Sequence, residues 1–222
     1  MVSTTFNPVA LLGPSSTIPD EVLKSSDGVL FYVHRHVLLA ASSNAFAGLP
    51  FSGQTTHVDV PETSTVLNII LHAVYDLSCA TYNPVLETLA IALDRMGKYG
   101  LAPRSLIDPT KAIFSVLYAQ APLRPIETFI LAAHYDIELL AQLASGHLLS
   151  FSLDRLSDEM VDQMGGRYLK RLFLLHRNRM TQLKEIIITP PEPGPGCTCR
   201  PGVVQSAWAM AAISLVNDAK PG

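Results

Sequence analysis

Cysteine is scarce in this chain and odd in number: Cys79, Cys197 and Cys199 are the whole supply. Three thiols do not make the paired framework that staples small secreted domains, and so low a count fits a reducing compartment, cytoplasm or nucleus. A dominant charge is missing as well. Sixteen Lys and Arg against 19 Asp and Glu leave a net charge of −3, which gives no global attraction to nucleic acid or anionic lipid but is compatible with a local basic face. The start, MVSTTFNPVALLGPSSTIP, lacks the basic residues and continuous apolar stretch of a signal peptide, so secretion is not expected. No stretch reaches the ~20 apolar residues that cross a bilayer. The most apolar late segment, VVQSAWAMAAISLV, is interrupted by Gln205 and Ser206 and reads as a docked C-terminal helix, with no membrane partner expected. Catalytic signatures are missing too: there is no Gly-x-Ser-x-Gly elbow, and Gly165-Gly166 has no Lys-Ser/Thr continuation to make a phosphate loop. No enzyme, metal or cofactor is therefore expected.

What is present is 222 residues with 48% apolar content, enough for a sizeable core. Between Asp20 and Val33 the residues read as two strands around Asp27-Gly28, a pair suited to a tight hairpin turn. Val29, Phe31 and Val33 share one face of the second strand. From His36 the spacing becomes helical through Val37, Ala40, Ala41, Asn44 and Phe46, and the small alanines allow another element to approach. THVDVP reads as a third strand. Thr63 or Ser64 then caps a helix carrying Val66, Leu67, Ile70, Leu71 and Val74, and the next helix lies between Asn83-Pro84 and Gly100.

Beyond Gly100 strand signals disappear. Asp108-Pro109 and Pro125 open helices, Asp136 separates two more, and a last long helix is expected after Gly165-Gly166, ending before TPPEPGPG. MGKYGL and AAHYDI mark similar handovers between helices. The fold class is α+β: a small sheet of about three strands with a cluster of helices, then an all-helical extension.

The segments DEVLKSSDGVLFYVHRHVLLAASSNAF, VDVPE, ILHAVYD and MGKYGL together resemble the BTB/POZ domain in its fungal form, with the elements in the same order. On that resemblance the chain divides into an N-terminal segment (1–19), a BTB/POZ-like domain (20–101), a helical extension (102–188), a Pro/Gly-rich linker (189–202) and a C-terminal helix and tail (203–222). The resemblance implies an interaction module, a homodimerising scaffold or adaptor without catalysis. It implies a dimer interface from Val37, Leu38, Ala41, Asn44 and Ala45 with Phe6, Val9 and Leu11 of the leading segment, and a charged pair, Asp20 and Arg35, near the dimer groove. Some members bridge a cullin ubiquitin ligase through a hydrophobic-x-Glu motif before the third strand. Here that loop is LPFSGQTTHVDV, without glutamate, so the ligase-adaptor alternative departs from the motif.

His34-Arg35-His36 invites a zinc reading, since imidazole is a common ligand, but no neighbouring Cys or acidic pair completes four ligands. A structural histidine at the strand-to-helix turn is expected instead. Cys197-Thr-Cys199 is not the Cys-x-x-Cys redox spacing and reads as two loose thiols. Lys170, Arg177 and Lys184 recur every seven residues and share one face of the last long helix, opposite Leu169, Leu172, Phe173, His176, Met180 and Leu183. A solvated face is expected there. The alternative is a transcriptional regulator using this basic helix as its partner surface, with nucleic acid itself not expected.

Overall fold

The computed structural model describes residues 1–10, 18–51, 57–190 and 201–218; Leu11, Cys197 and Cys199 lie outside them. The fold is α+β, a small mixed sheet beside a larger set of helices. Strand β1 (Glu21–Lys24) pairs antiparallel with β2 (Leu30–Val33), and the short β3 (Val58–Asp59) lies parallel to β1 on its other edge. The hairpin is wider than a two-residue turn, because Lys24 pairs with Leu30 and Ser25 N–H reaches Val29 O at 3.0 Å. Gly28, at φ +84°, supplies the left-handed step. Asp27 is needed elsewhere: its carboxylate accepts from Ser25 Oγ at 2.6 Å and from Ser64 N–H and Oγ at 2.9 and 2.6 Å. Thr63 is the N-cap of the helix that starts at Ser64, but its side chain makes no capping hydrogen bond, and a carboxylate reaching across from the hairpin takes the Ser64 N–H instead. These hydrogen bonds, Ser25 first and then Ser64, hold Asp27 below its ordinary pKa.

The leading segment extends the sheet within its own chain. Val2 bridges Leu30 in parallel, Ser3 N–H donates to Leu30 O at 2.9 Å, and Tyr32 N–H donates to Phe6 O at 2.9 Å. Phe6 is 0% exposed, its ring 5.0 Å from His72, 5.4 Å from Tyr75 and 6.2 Å from Phe31. Phe6 was expected at a dimer interface; the sheet edge and the core beside His72 claim it instead. Val9 remains exposed.

The helices are α1 (Arg35–Ala41), the single turn α2 (Ala45–Gly48), α3 (Ser64–Val74), α4 (Leu86–Lys98), α5 (Pro103–Leu106), α6 (Ala112–Tyr118), α7 (Pro125–His134), α8 (Glu138–Ser145), α9 (Asp158–Ile188) and α10 (Pro201–Asp218). One boundary differs from expectation and another carries an extra stretch. α4 starts at Leu86 because Asn83 is left-handed, φ 43°, and ends a short 3₁₀ turn. α9 joins two helices at the non-helical Gly165 (φ 70°, ψ 159°): a short one from Asp158, capped by Ser157 Oγ accepting from Met160 N–H, and the long one after Gly165, where its start was expected. α9 lies against α7, and α10 lies against α9.

Three helices end the same way. Tyr75, Tyr99 and Tyr135 are the C-caps of α3, α4 and α7, and each is followed by a left-handed residue, Asp76, Gly100 or Asp136. The next amide then folds back over the turn: Leu77 N–H to His72 O, Leu101 N–H to Met96 O and Ile137 N–H to Ala132 O, at 2.8, 3.0 and 2.8 Å. This is the Schellman closure, which satisfies carbonyls a helix end would leave open. Asp is an unfavourable choice beside a helix C-terminus, and both aspartates are compensated by tertiary donors. Asp76 accepts from Ala112 N–H and Lys111 Nζ, each at 3.0 Å, joining the end of α3 to the start of α6. Asp136 accepts from Tyr168 Oη at 2.7 Å, Arg167 at 2.8 Å and Arg104 at 3.0 Å, joining α7 to α9 and α5. Both carboxyls are held below their usual range, Asp76 chiefly by the Ala112 amide and Asp136 chiefly by the Tyr168 hydroxyl.

One buried apolar cluster runs from Phe6 and Leu23 through Leu67, Ile70, Leu93 and Tyr99 to Phe129, Leu140 and Leu172. The strand-bearing part and the helices after Gly100 therefore share a core. Phe6→Ala is expected to cost about 3–5 kcal/mol, the range for deleting a fully buried aromatic, read as a lowered urea midpoint; a loss under ~1 kcal/mol would show that the segment is not part of this core.

Candidate interaction surface

The face expected to bind a second copy centres on α1, and its position is set by two polar contacts at its start. His34 is the extended residue before the helix. Its N–H donates to Tyr75 Oη at 2.7 Å and its ring Nδ1 lies 3.1 Å from the same oxygen. Burial pushes the Tyr75 hydroxyl up to about 12, so it stays protonated and serves the hinge as a neutral hydrogen-bonding group. Asp20 Oδ1 accepts from Arg35 backbone N–H at 2.7 Å, placing a carboxylate where the helix dipole favours negative charge. Asp20 and Arg35, the expected charged pair, are thus brought together through the Arg35 backbone amide. His36 is exposed, its ring 5.7 Å from that of His34. Among the described residues no group of three or more His, Cys, Asp or Glu is placed to hold a metal ion.

α1 is shorter than its spacing implied. Ser42 is extended, φ −104°, and Ala45, Phe46 and Ala47 carry φ values of 55°, 55° and 61°. Left-handed backbone is unfavourable for residues with a Cβ, and what holds it here is a set of contacts to the end of α4. Ser42 Oγ accepts from Phe46 N–H at 2.7 Å and donates to Tyr99 O at 2.7 Å. Ser43 N–H and Oγ reach Gly100 O at 2.9 and 3.0 Å, and Asn44 Nδ2 donates to Lys98 O at 2.9 Å. A Cβ on Gly100 would meet Asn44 Oδ1 at 2.5 Å, so glycine at this Schellman turn is a close-approach requirement as well as a conformational one.

The expected interface residues consequently divide. Leu38 is fully buried and belongs to the core, a correction that follows from the inward face of a seven-residue helix packed on α3. Asn44 is exposed but spends its amide on Lys98 O and Ala47 N–H. Val37 and Ala41 are half-buried and Ala45 exposed, and with Val9 they are what remains of the proposed face. Tyr99, whose hydroxyl donates to the buried carboxylate of Glu62, stacks on Phe46 at 4.6 Å; burial first and Glu62 second raise it far above the ordinary tyrosine value.

The basic face on α9 is present. Lys170, Arg177 and Lys184 are exposed and make no ion pair with the described residues, while Arg167 and Arg171 are taken up by Asp136 and Glu138. Phe173, expected on the packed side, is 50% exposed and sits three residues after Lys170 and four before Arg177, on their face. The spacing from Lys170 and Arg177 already carried this placement, and the buried stripe of α9 is Tyr168, Leu172 and His176. A groove of about 500 Å³ lies between α4, α7 and the start of α9, with Leu86, Ile130 and Met160 in its lining. Arg124 spans its rim between Glu87 and Glu127.

No family model, curated protein or solved structure matches the chain. No helix among the described residues is long and apolar enough to cross a membrane.

Tyr75→Phe is expected to leave the partly buried His34 N–H without its acceptor and to cost about 1–3 kcal/mol. Urea unfolding of the two forms measures it, and an unchanged midpoint would remove Tyr75 from the hinge.

Proposed function

We propose that this chain is a non-catalytic interaction module of BTB/POZ type, self-associating as a homodimeric scaffold or adaptor inside the cell. One observation carries the reading: the hairpin β1–β2, the His34-Arg35 hinge, α1, the returning strand β3 and the pair α3–α4 stand in the order that the resemblance implies. The commitment of the hinge side chains to structure supports the absence of catalysis, since His34 engages Tyr75 and Asp20 closes the start of α1. Three cysteines in 222 residues support a reducing compartment, cytoplasm or nucleus. Light scattering after gel filtration tests self-association: a mass of twice 24.1 kDa is expected at ~50 µM, where mass action favours the dimer. A 24.1 kDa particle at that concentration removes the homodimer.

The exposed Phe173 between Lys170 and Arg177 favours a second reading, an acidic partner surface on α9. Cations flanking an accessible ring suit acidic peptides and nucleic-acid backbones. Charge reversal at Lys170 and Arg177 is expected to abolish retention on a polyanionic matrix and to flatten its salt dependence. Unchanged retention across a salt series removes this surface.

A further inference from the structure

The helix α10 is built to be covered on two sides and is covered on one. From Pro201 to Val216 it carries no charged residue and only Gln205, Ser206 and Ser214 as polar ones, and a mostly apolar helix belongs between neighbours. Ala212 is buried and Val204 and Trp208 half-buried, a stripe at four-residue spacing on the helix that lies against α9. Directly opposite run Val203, Ser206, Met210 and Ile213, with Val203 64%, Met210 71% and Ile213 63% exposed. Their 3-4-3 spacing is that of a coiled-coil seam. Ser206, the polar member, already donates its hydroxyl to Gly202 O at 2.7 Å, so closing the seam leaves no unsatisfied group there.

We infer that this stripe is a self-recognition seam: α10 of one copy docks antiparallel on α10 of a second copy. The order of side chains is its own complement. About a two-fold axis at position 208, Val203 of one copy faces Ile213 of the other and Ser206 faces Met210, so a small residue receives a long one twice. A closed two-fold contact requires such self-complementarity, and the uncharged stripe adds no like-charge repulsion. At ~100 Å² per exposed large side chain the seam falls short of the ~800 Å² per partner of a stable interface. The dimer is therefore weak and concentration-dependent. The inference rests on the self-association reading above and moves the contact from α1 to α10.

Sedimentation equilibrium of the full chain over ~1–200 µM, a span suited to a weak association, tests it with two variants whose helicity is checked by circular dichroism. The wild type is expected to pass from 24.1 kDa to twice that mass. Met210→Glu is expected to stay monomeric. Adding Ser206→Lys to Met210→Glu is expected to restore the dimer, because antiparallel docking sets the new lysine of each copy beside the new glutamate of the other. A wild-type dimer unaffected by Met210→Glu overturns the seam but leaves self-association standing, with Ala45→Glu then reporting on α1. A wild type monomeric throughout overturns both, and its co-flotation with neutral phosphatidylcholine vesicles would assign the stripe to lipid instead. Restoration failing in the double variant overturns the antiparallel register.

Discussion

A helix that stops inside a packed protein leaves carbonyls that something must satisfy, and here that requirement organises the molecule. α3, α4 and α7 each finish in a tyrosine followed by a left-handed residue, and each such end is where another part of the chain is anchored. The Asp76 carboxylate collects the first amide of α6, Asp136 collects α5 and α9 through their arginines and Tyr168, and Gly100 makes room for Asn44. Closing the helix and positioning its neighbour are one event. A glycine at the two aspartate positions would relieve the backbone and the dipole and would lose the link.

The hinge region follows from the same economy of polar groups. Tyr75, already placed by the end of α3, turns its hydroxyl to His34, so the strand-to-helix junction is tied to the helix that packs behind it. The Ser42–Asn44 corner then spends its donors on the last carbonyls of α4, leaving Ala45 to Ala47 in left-handed backbone. What the α1 face offers to a partner is thereby limited to small or half-buried side chains. Larger accessible apolar side chains, Val203, Met210 and Ile213, lie on α10.

Much of the fold was legible. The alternation around Phe31 and Val33, the three-four spacing of Val66 to Val74 and the proline before Ile126 report local preferences that packing did not override. The wider hairpin, the late start of α4 and the short helical stretch from Asp158 to Gly165 were not legible, because none of them leaves a long periodic signal. Pro103–Leu106 is too short to leave a periodic signal. The recurrence of Tyr with Asp or Gly in HAVYDL, GKYGL and AHYDI could have identified all three closures.

For the candidate surface, the sequence by itself determined which side chains are apolar and at what spacing: the alanine-rich α1, the heptad cations of α9 and the uncharged α10. Only the tertiary structure decided which of these face water. Phe6 and Leu38 look like surface anchors until the sheet edge and α3 enclose them, and Phe173 looks like core until Tyr168, Leu172 and His176 are found to be the buried side of α9. The reason is physical: periodicity gives the angle between residues on one element, whereas burial depends on where another element stands. That placement is set here by Asp27, Asp76 and Asp136, whose tertiary partners lie more than thirty residues away in the chain.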